Sequence, residues 1–168
     1  YTSAAVVVDL GLNYYDEESD LSVSAALRNL GAQIKSYDGR TETVPYSLQL
    51  GVTKGLAHLP LRFSVTAIDL TRWRQADYYV ADGQKLGAAR MALNHLVLGA
   101  QLQPTPTVSV SLGYNFRRAY ELKAAGASHW AGLSAGLGIH LTQWNLPLAY
   151  ARYHRSAASL MGTVAYSF

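Results

Sequence analysis

Apolar residues in this chain recur at every second position, and the residues between them are too small and polar to form a core. The closing segment shows it: in SLMGTVAYSF, Leu160, Val164, Tyr166 and Phe168 lie on one side of an extended chain, with Thr163, Ala165 and Ser167 on the other. Across 5–15, Val6, Val8, Leu10, Leu12 and Tyr14 alternate with Asp9, Gly11 and Asn13. The same period runs through 21–27, 46–53, 61–66, 96–102, 108–116 and 133–141, with a shorter strand near 146–154. Roughly nine antiparallel strands are expected, many about ten residues long, the length of a tilted strand crossing a bilayer.

The second face decides the class. A soluble sandwich or lipocalin-like barrel also alternates, but one of its faces closes on a packed hydrophobic interior. Here that face carries Ser, Gly, Asn, Gln, Thr and Asp, which suits a polar lumen with the apolar residues turned to lipid. Composition agrees. The chain is 49% hydrophobic but only 15% charged, against about 25% charged in soluble domains. No run approaches the roughly 18 apolar residues of a membrane-spanning helix. The expected fold is all-β: an antiparallel transmembrane β-barrel, one domain over 1–168, located in the outer membrane.

The connections alternate in length, as in outer-membrane barrels whose long loops face outward. Asp16–Asp20, Gly55–Pro60, Gln103–Thr107 and Thr142–Asn145 are short; Tyr37–Val44, Arg72–Ala88 and Arg118–Ser128 are longer. Trp73 and Trp130 fall near the long-loop end and Trp144 near the other, as two aromatic girdles require. Asp69 breaks the alternation after Ala67, which suggests a bulge near the outer rim; Asp9, Asp69 and Arg62 are expected at the lumen or its rim. An odd strand count does not close an antiparallel barrel. Tyr1 also opens almost directly on a strand, with no secretory signal before it. A C-terminal part of a larger barrel is therefore expected.

The terminal strand, with Tyr166 two residues before Phe168, resembles the signal by which outer-membrane barrels are handed to their assembly machinery. A sharper resemblance lies in ALRNLGAQIKSYDG and VPYSLQLGVTKGLAHLPLRFSVTAIDLTRW. Its matched positions are Asn29, Leu30, Gly31, Pro45, Gly51, Val52, Lys54, Leu56, His58, Pro60, Arg62, Phe63, Ser64 and Trp73. These segments look like the PorQ family of Bacteroidetes type IX secretion, with Val44-Pro45 where Leu-Pro is more usual. The resemblance implies the C-terminal part of a fatty-acid-transporter-like barrel of about fourteen strands. It also implies a non-enzymatic anchor for a PorZ-like surface partner, in the attachment complex that joins secreted cargo to lipopolysaccharide. A small-molecule channel of the fatty-acid-transporter type ranks second, since it needs an apolar lumen.

Positive charge gathers at the long-loop end. Arg72, Arg74, Arg117 and Arg118 are candidate lipopolysaccharide contacts, because the guanidinium fork matches phosphate. The short-turn end carries Asp16, Glu17, Glu18 and Asp20. The charge excess is too modest for nucleic acid: formally +3. His154 and Ser156 resemble the His-x-Ser of barrel lipid A deacylases, a third reading that lacks an orienting group. With no cysteine and histidines scattered at 58, 95, 129, 140 and 154, no metal or cofactor is expected.

Overall fold

The structure, a computed structural model, describes residues 4–35, 44–78, 85–122, 129–152 and 158–167. The strands are β1 (Ala4–Asp16), β2 (Leu21–Lys35), β3 (Ser47–Leu56), β4 (Leu59–Ala67), β5 (Leu96–Thr105), β6 (Val108–Asn115), β7 (Leu133–His140), β8 (Trp144–Arg152), β9 (Ala158–Gly162) and β10 (Ala165–Tyr166). Each strand pairs antiparallel with the next, and β9 and β10 both lie on β8. The last two are halves of one strand. Leu148 faces Gly162 and Asn145 faces Ala165, so the register is unbroken between them. At the gap the Thr163 N–H donates to the Pro147 carbonyl at 3.0 Å. Pro147 has no N–H to return, and the ladder lapses there. Nine consecutive antiparallel strand positions result, as expected.

Among the described residues β1 does not pair with β9 or β10, and the sheet is open. Among the described residues no second layer packs on it. The chain exposes 11945 Å², where a compact protein of this mass exposes about 8,100 Å².

The bulge lies elsewhere than expected. Asp69 sits in a turn beyond β4, at φ 53°. An irregularity inside the sheet lies in β1–β2, where Val8 pairs with Leu30 but Leu10 pairs with Leu27, leaving Arg28 and Asn29 opposite Asp9. Asn29 takes up the extra residue at φ 58°. Its N–H, turned out of the ladder, donates to Asp9 Oδ1 at 2.7 Å, and Arg28 pairs with Asp9 Oδ2 at 3.5 Å. Leu27 and Leu30, three apart in sequence, thereby meet the same face of β1. Gly31 follows, with the Val6 backbone so close that a Cβ would collide with its carbonyl. Asn29-Leu30-Gly31 thus has a local physical reason. The bulge also carries β2 past the expected 21–27.

The long connections contain helices that alternation does not reveal. After β4 come a 3-10 turn (Gln75–Asp77) and α1 (Ala88–Asn94). After β6 come α2 (Phe116–Glu121) and a second 3-10 turn (His129–Gly132). β6 ends one residue earlier than expected because Asn115 caps α2, its Oδ1 accepting from the Arg118 N–H at 3.0 Å. Ala119 is fully buried, and a Cβ on Gly132 would meet its methyl carbon at 2.9 Å. The buried apolar side chains Tyr78, Ala119 and Ala131 therefore lie in this cap, not on the sheet.

The bulge yields a prediction. Asn29→Gly keeps the positive φ and should change stability by no more than a few tenths of a kcal/mol. Asn29→Val and Gly31→Ala should each cost about 1–3 kcal/mol. Urea unfolding of the detergent-folded protein measures both; equal values for Asn29→Gly and Asn29→Val would refute the account.

Candidate functional site

The register lays side chains out in rows across the sheet. One row runs Tyr14, Val23, Val52, Val65, Leu98, Tyr114, Leu133 from β1 to β7. The opposite face carries Tyr15, Ser22, Thr53, Ser64, Gly99, Gly113, Ser134, Ala151, Ser159 across all nine positions. Accessibility is inverted relative to a soluble sheet. Leu12 is 80% and Leu112 56% exposed, whereas Ser109 is 5% exposed. Strands β3 and β5 have ten residues; tilted by about 45°, each spans roughly 24 Å, close to the apolar band of a membrane barrel. Over nine strands of about 34 Å spaced about 4.8 Å apart, that face approaches about 1,300 Å², beyond the patch a soluble monomer normally exposes.

Serine and glycine alternate across neighbouring strands of the polar face. A Cβ on Gly51 would meet Ser24 Oγ at 2.7 Å, and one on Gly113 would meet Ser134 Oγ at 2.6 Å. Gly99 stands the same way against Ser64, Gly136 against Ser111, and Gly138 against Ser109. A recess of about 350 Å³ on this face is lined by Arg62, Gln101 and these small residues. Ser109 Oγ lies 3.0 Å from His140 Nε2, a pair visible only once β6 and β7 are in register. Among the described residues no hydrogen bond orients the other ring nitrogen, so the pair has the donor and acceptor of a nucleophile but not the third member.

At the short-turn end, Arg62 binds Asp20 through two bonds of 3.1 and 3.0 Å, and Tyr15 OH donates to the same carboxylate at 2.9 Å. Lys54 Nζ donates to the Ser19 carbonyl, and the Gly55 N–H donates to the Asp20 carbonyl at 2.8 Å. A Cβ on Gly55 would run into Asp20. The acidic turn is thus tied to the β3–β4 hairpin by both of that hairpin's cations. The Arg62 guanidinium, then Tyr15, hold the Asp20 carboxyl below its ordinary value. Trp144 and Tyr166 stack near this end, ring centres 4.8 Å apart.

The long-loop end is a polar cap built around His95 and Tyr78, both buried. His95 Nδ1 lies 2.7 Å from the Ile68 carbonyl, its Nε2 2.9 Å from Tyr78 OH, and that hydroxyl 2.7 Å from the Arg72 carbonyl. Three bonds ending on carbonyls at both ends need three protons, and the neutral side chains carry two. Which of its neighbours the Tyr78 hydroxyl serves follows the His95 tautomer, and toward the Arg72 carbonyl it is the donor. Burial, ahead of nearby charges, pushes the Tyr78 phenol up. Trp73 covers His95 at 4.1 Å between ring centres.

Arg117 belongs to the frame of this cap. Its guanidinium lies 2.9 Å from Asp69, 3.1 Å from Glu121 and 4.7 Å from the Tyr78 ring centre, and its side chain is 19% exposed. That removes it from the set of arginines open to a ligand. Arg72 and Arg74 line one recess on the rim; Arg118 lies inside α2. Trp73 and Trp144 stand at opposite ends, as the girdle pattern requires, whereas Phe168, His154, Ser156 and the Trp130 side chain lie outside the described residues. The buried His95 pair escaped sequence reasoning, because nothing in LNHL marks a histidine whose partners come from two other segments.

The molecule is an all-β, consecutively antiparallel sheet with its large apolar side chains on the accessible face. No family model, curated protein or solved structure matches the chain.

Two outcomes test the ends. Because the folded value of Asp20 is lowered, its pairing stabilises the protein fully above the unfolded value of about 4 and is lost as pH falls from there through the lower folded value. The urea midpoint of the native protein should drop from pH 6 to pH 3, and Asp20→Asn should lack that part of the drop. Tyr78→Phe strands His95 and the Arg72 carbonyl and should cost about 1–3 kcal/mol locally. Faster hydrogen exchange confined to cap amides would register it; unchanged exchange would refute the network.

Proposed function

We propose that the chain forms the wall of an outer-membrane β-barrel of the PorQ type and serves as a non-enzymatic anchor for a surface partner in type IX secretion. The observation that carries the membrane part is the inverted sheet: leucine, valine and tyrosine on the exposed face, serine and glycine on the sheltered one. In water, each exposed leucine would forgo about 1.5–3 kcal/mol; facing lipid tails, none of that is lost.

Strand direction supports a larger barrel. With nine antiparallel positions, β1 and the terminal strand run the same way. Antiparallel closure then calls for an odd number of further strands between them.

The anchor role rests on the family resemblance, whose residues have local reasons here: Asn29 and Gly31 build the bulge, and Lys54 and Arg62 tie the β1–β2 turn. The cap, with Trp73, Arg74 and Tyr46 on its surface, supplies a face for a protein partner. A fatty-acid-like channel is less favoured, because the sheltered face is polar. The lipid A hydrolase would depend on His154 and Ser156.

Leu112→Arg separates the membrane reading from a soluble sheet. On a lipid face it should cost about 2–4 kcal/mol of folding into bilayers, whereas at an exposed site in water it should be nearly neutral. Measuring the folding equilibrium in lipid vesicles decides it. For the anchor role, deleting the protein should release a surface partner that otherwise co-purifies with it from outer membranes, and its denatured mass there should be about twice 18.3 kDa.

A further inference from the structure

We propose that the recess at the outer rim, formed by the residues just before β3 and just after β4, binds a phosphorylated sugar. The recess is about 470 Å³ and is lined by Val44, Pro45, Tyr46, Thr71, Arg72, Arg74 and Asp77. The arginines are what set it apart. Arg28, Arg62 and Arg117 each hold a carboxylate, and Arg90 lies 4.7 Å from the Tyr120 ring centre. Arg118 and Arg152 are engaged as well. Arg72 and Arg74 are different: among the described residues neither guanidinium has a hydrogen bond or ion pair, and both line this one recess.

Two unspent guanidinium forks converging on one hollow suit a phosphate, whose oxygens accept from both. The rest of the lining narrows the ligand. Asp77 shares the recess, its Oδ2 accepting the Arg74 N–H at 3.1 Å, so a bare polyanion would meet a carboxylate. Sugar hydroxyls can donate to that carboxylate. Tyr46 is 52% exposed, and with Pro45 and Val44 it offers an apolar wall for a sugar's C–H face. Thr71 Oγ1 donates to the Tyr46 carbonyl at 2.9 Å, and the Leu70 N–H to the Leu48 carbonyl at 3.0 Å. The two sides of the recess are thus fixed to each other before any ligand arrives.

The phosphosugar could be the headgroup of an outer-leaflet lipid or a free sugar phosphate. The headgroup source rests on the barrel reading above; the chemistry of the recess does not. The test uses the native protein in detergent micelles and measures binding of glucose 1-phosphate, and of phosphatidylcholine vesicles with and without a phosphorylated disaccharide lipid. Arg72→Gln and Arg74→Gln should each weaken binding about tenfold. Lys85→Gln, which removes the same charge from an exposed position on the same side, should leave it unchanged. Saturable binding of glucose 1-phosphate that those substitutions weaken about tenfold assigns a free sugar phosphate. Binding only to vesicles carrying the phosphorylated lipid, with the same arginine dependence, assigns the headgroup. No binding in either format, or equal loss in Lys85→Gln, overturns the proposal, and neither result bears on Leu112→Arg in vesicles.

Discussion

The architecture depends on side-chain size along the sheltered face. Where serine and glycine face each other across strands, a second Cβ would require the serine hydroxyl to turn aside, as at Gly51 under Ser24 and Gly113 under Ser134. Small groups keep that face slim while the large residues spread on the other. One set of contacts thereby assigns both sides of the sheet. Each strand's register is in turn set by its neighbour.

The two ends are finished by different means. At the short turns, charge does the work: Asp20 gathers Arg62 and Tyr15, and the β3–β4 hairpin is strapped to β1–β2. At the long loops, helices pack into a small polar core in which His95, Tyr78 and Arg117 reach across segments distant in sequence. The contrast matters for function. Among the described residues most arginines are engaged in holding the molecule together, and Arg72 and Arg74, which are not, line the outer rim.

Much of the sheet was legible in advance because a strand's side chains alternate strictly, so face assignment follows from residue type alone. The strand positions, their count and the placement of Trp73 and Trp144 followed from that. Alternation said nothing of α1 and α2, whose helical turns are short and whose burial depends on each other. It also misplaced the bulge. Asp69 looks like an interruption but only begins a turn, whereas Asn29 hides inside a run that still looks like strand, since Leu27 and Leu30 are both apolar. The candidate arginines were only partly sortable for the same reason: Arg117 is adjacent to Arg118 in sequence, but its partners Asp69 and Tyr78 are far away along the chain.

By itself, then, the amino-acid order determined which residues share a face, because period two is a local property of extended backbone. It also showed that no apolar run in this sequence reaches the length of a membrane-spanning helix. Only the tertiary structure decided where the extra residue of β2 is absorbed and which of the described charges remain unspent. Those outcomes depend on register and on contacts between segments tens of residues apart, and no local pattern encodes them.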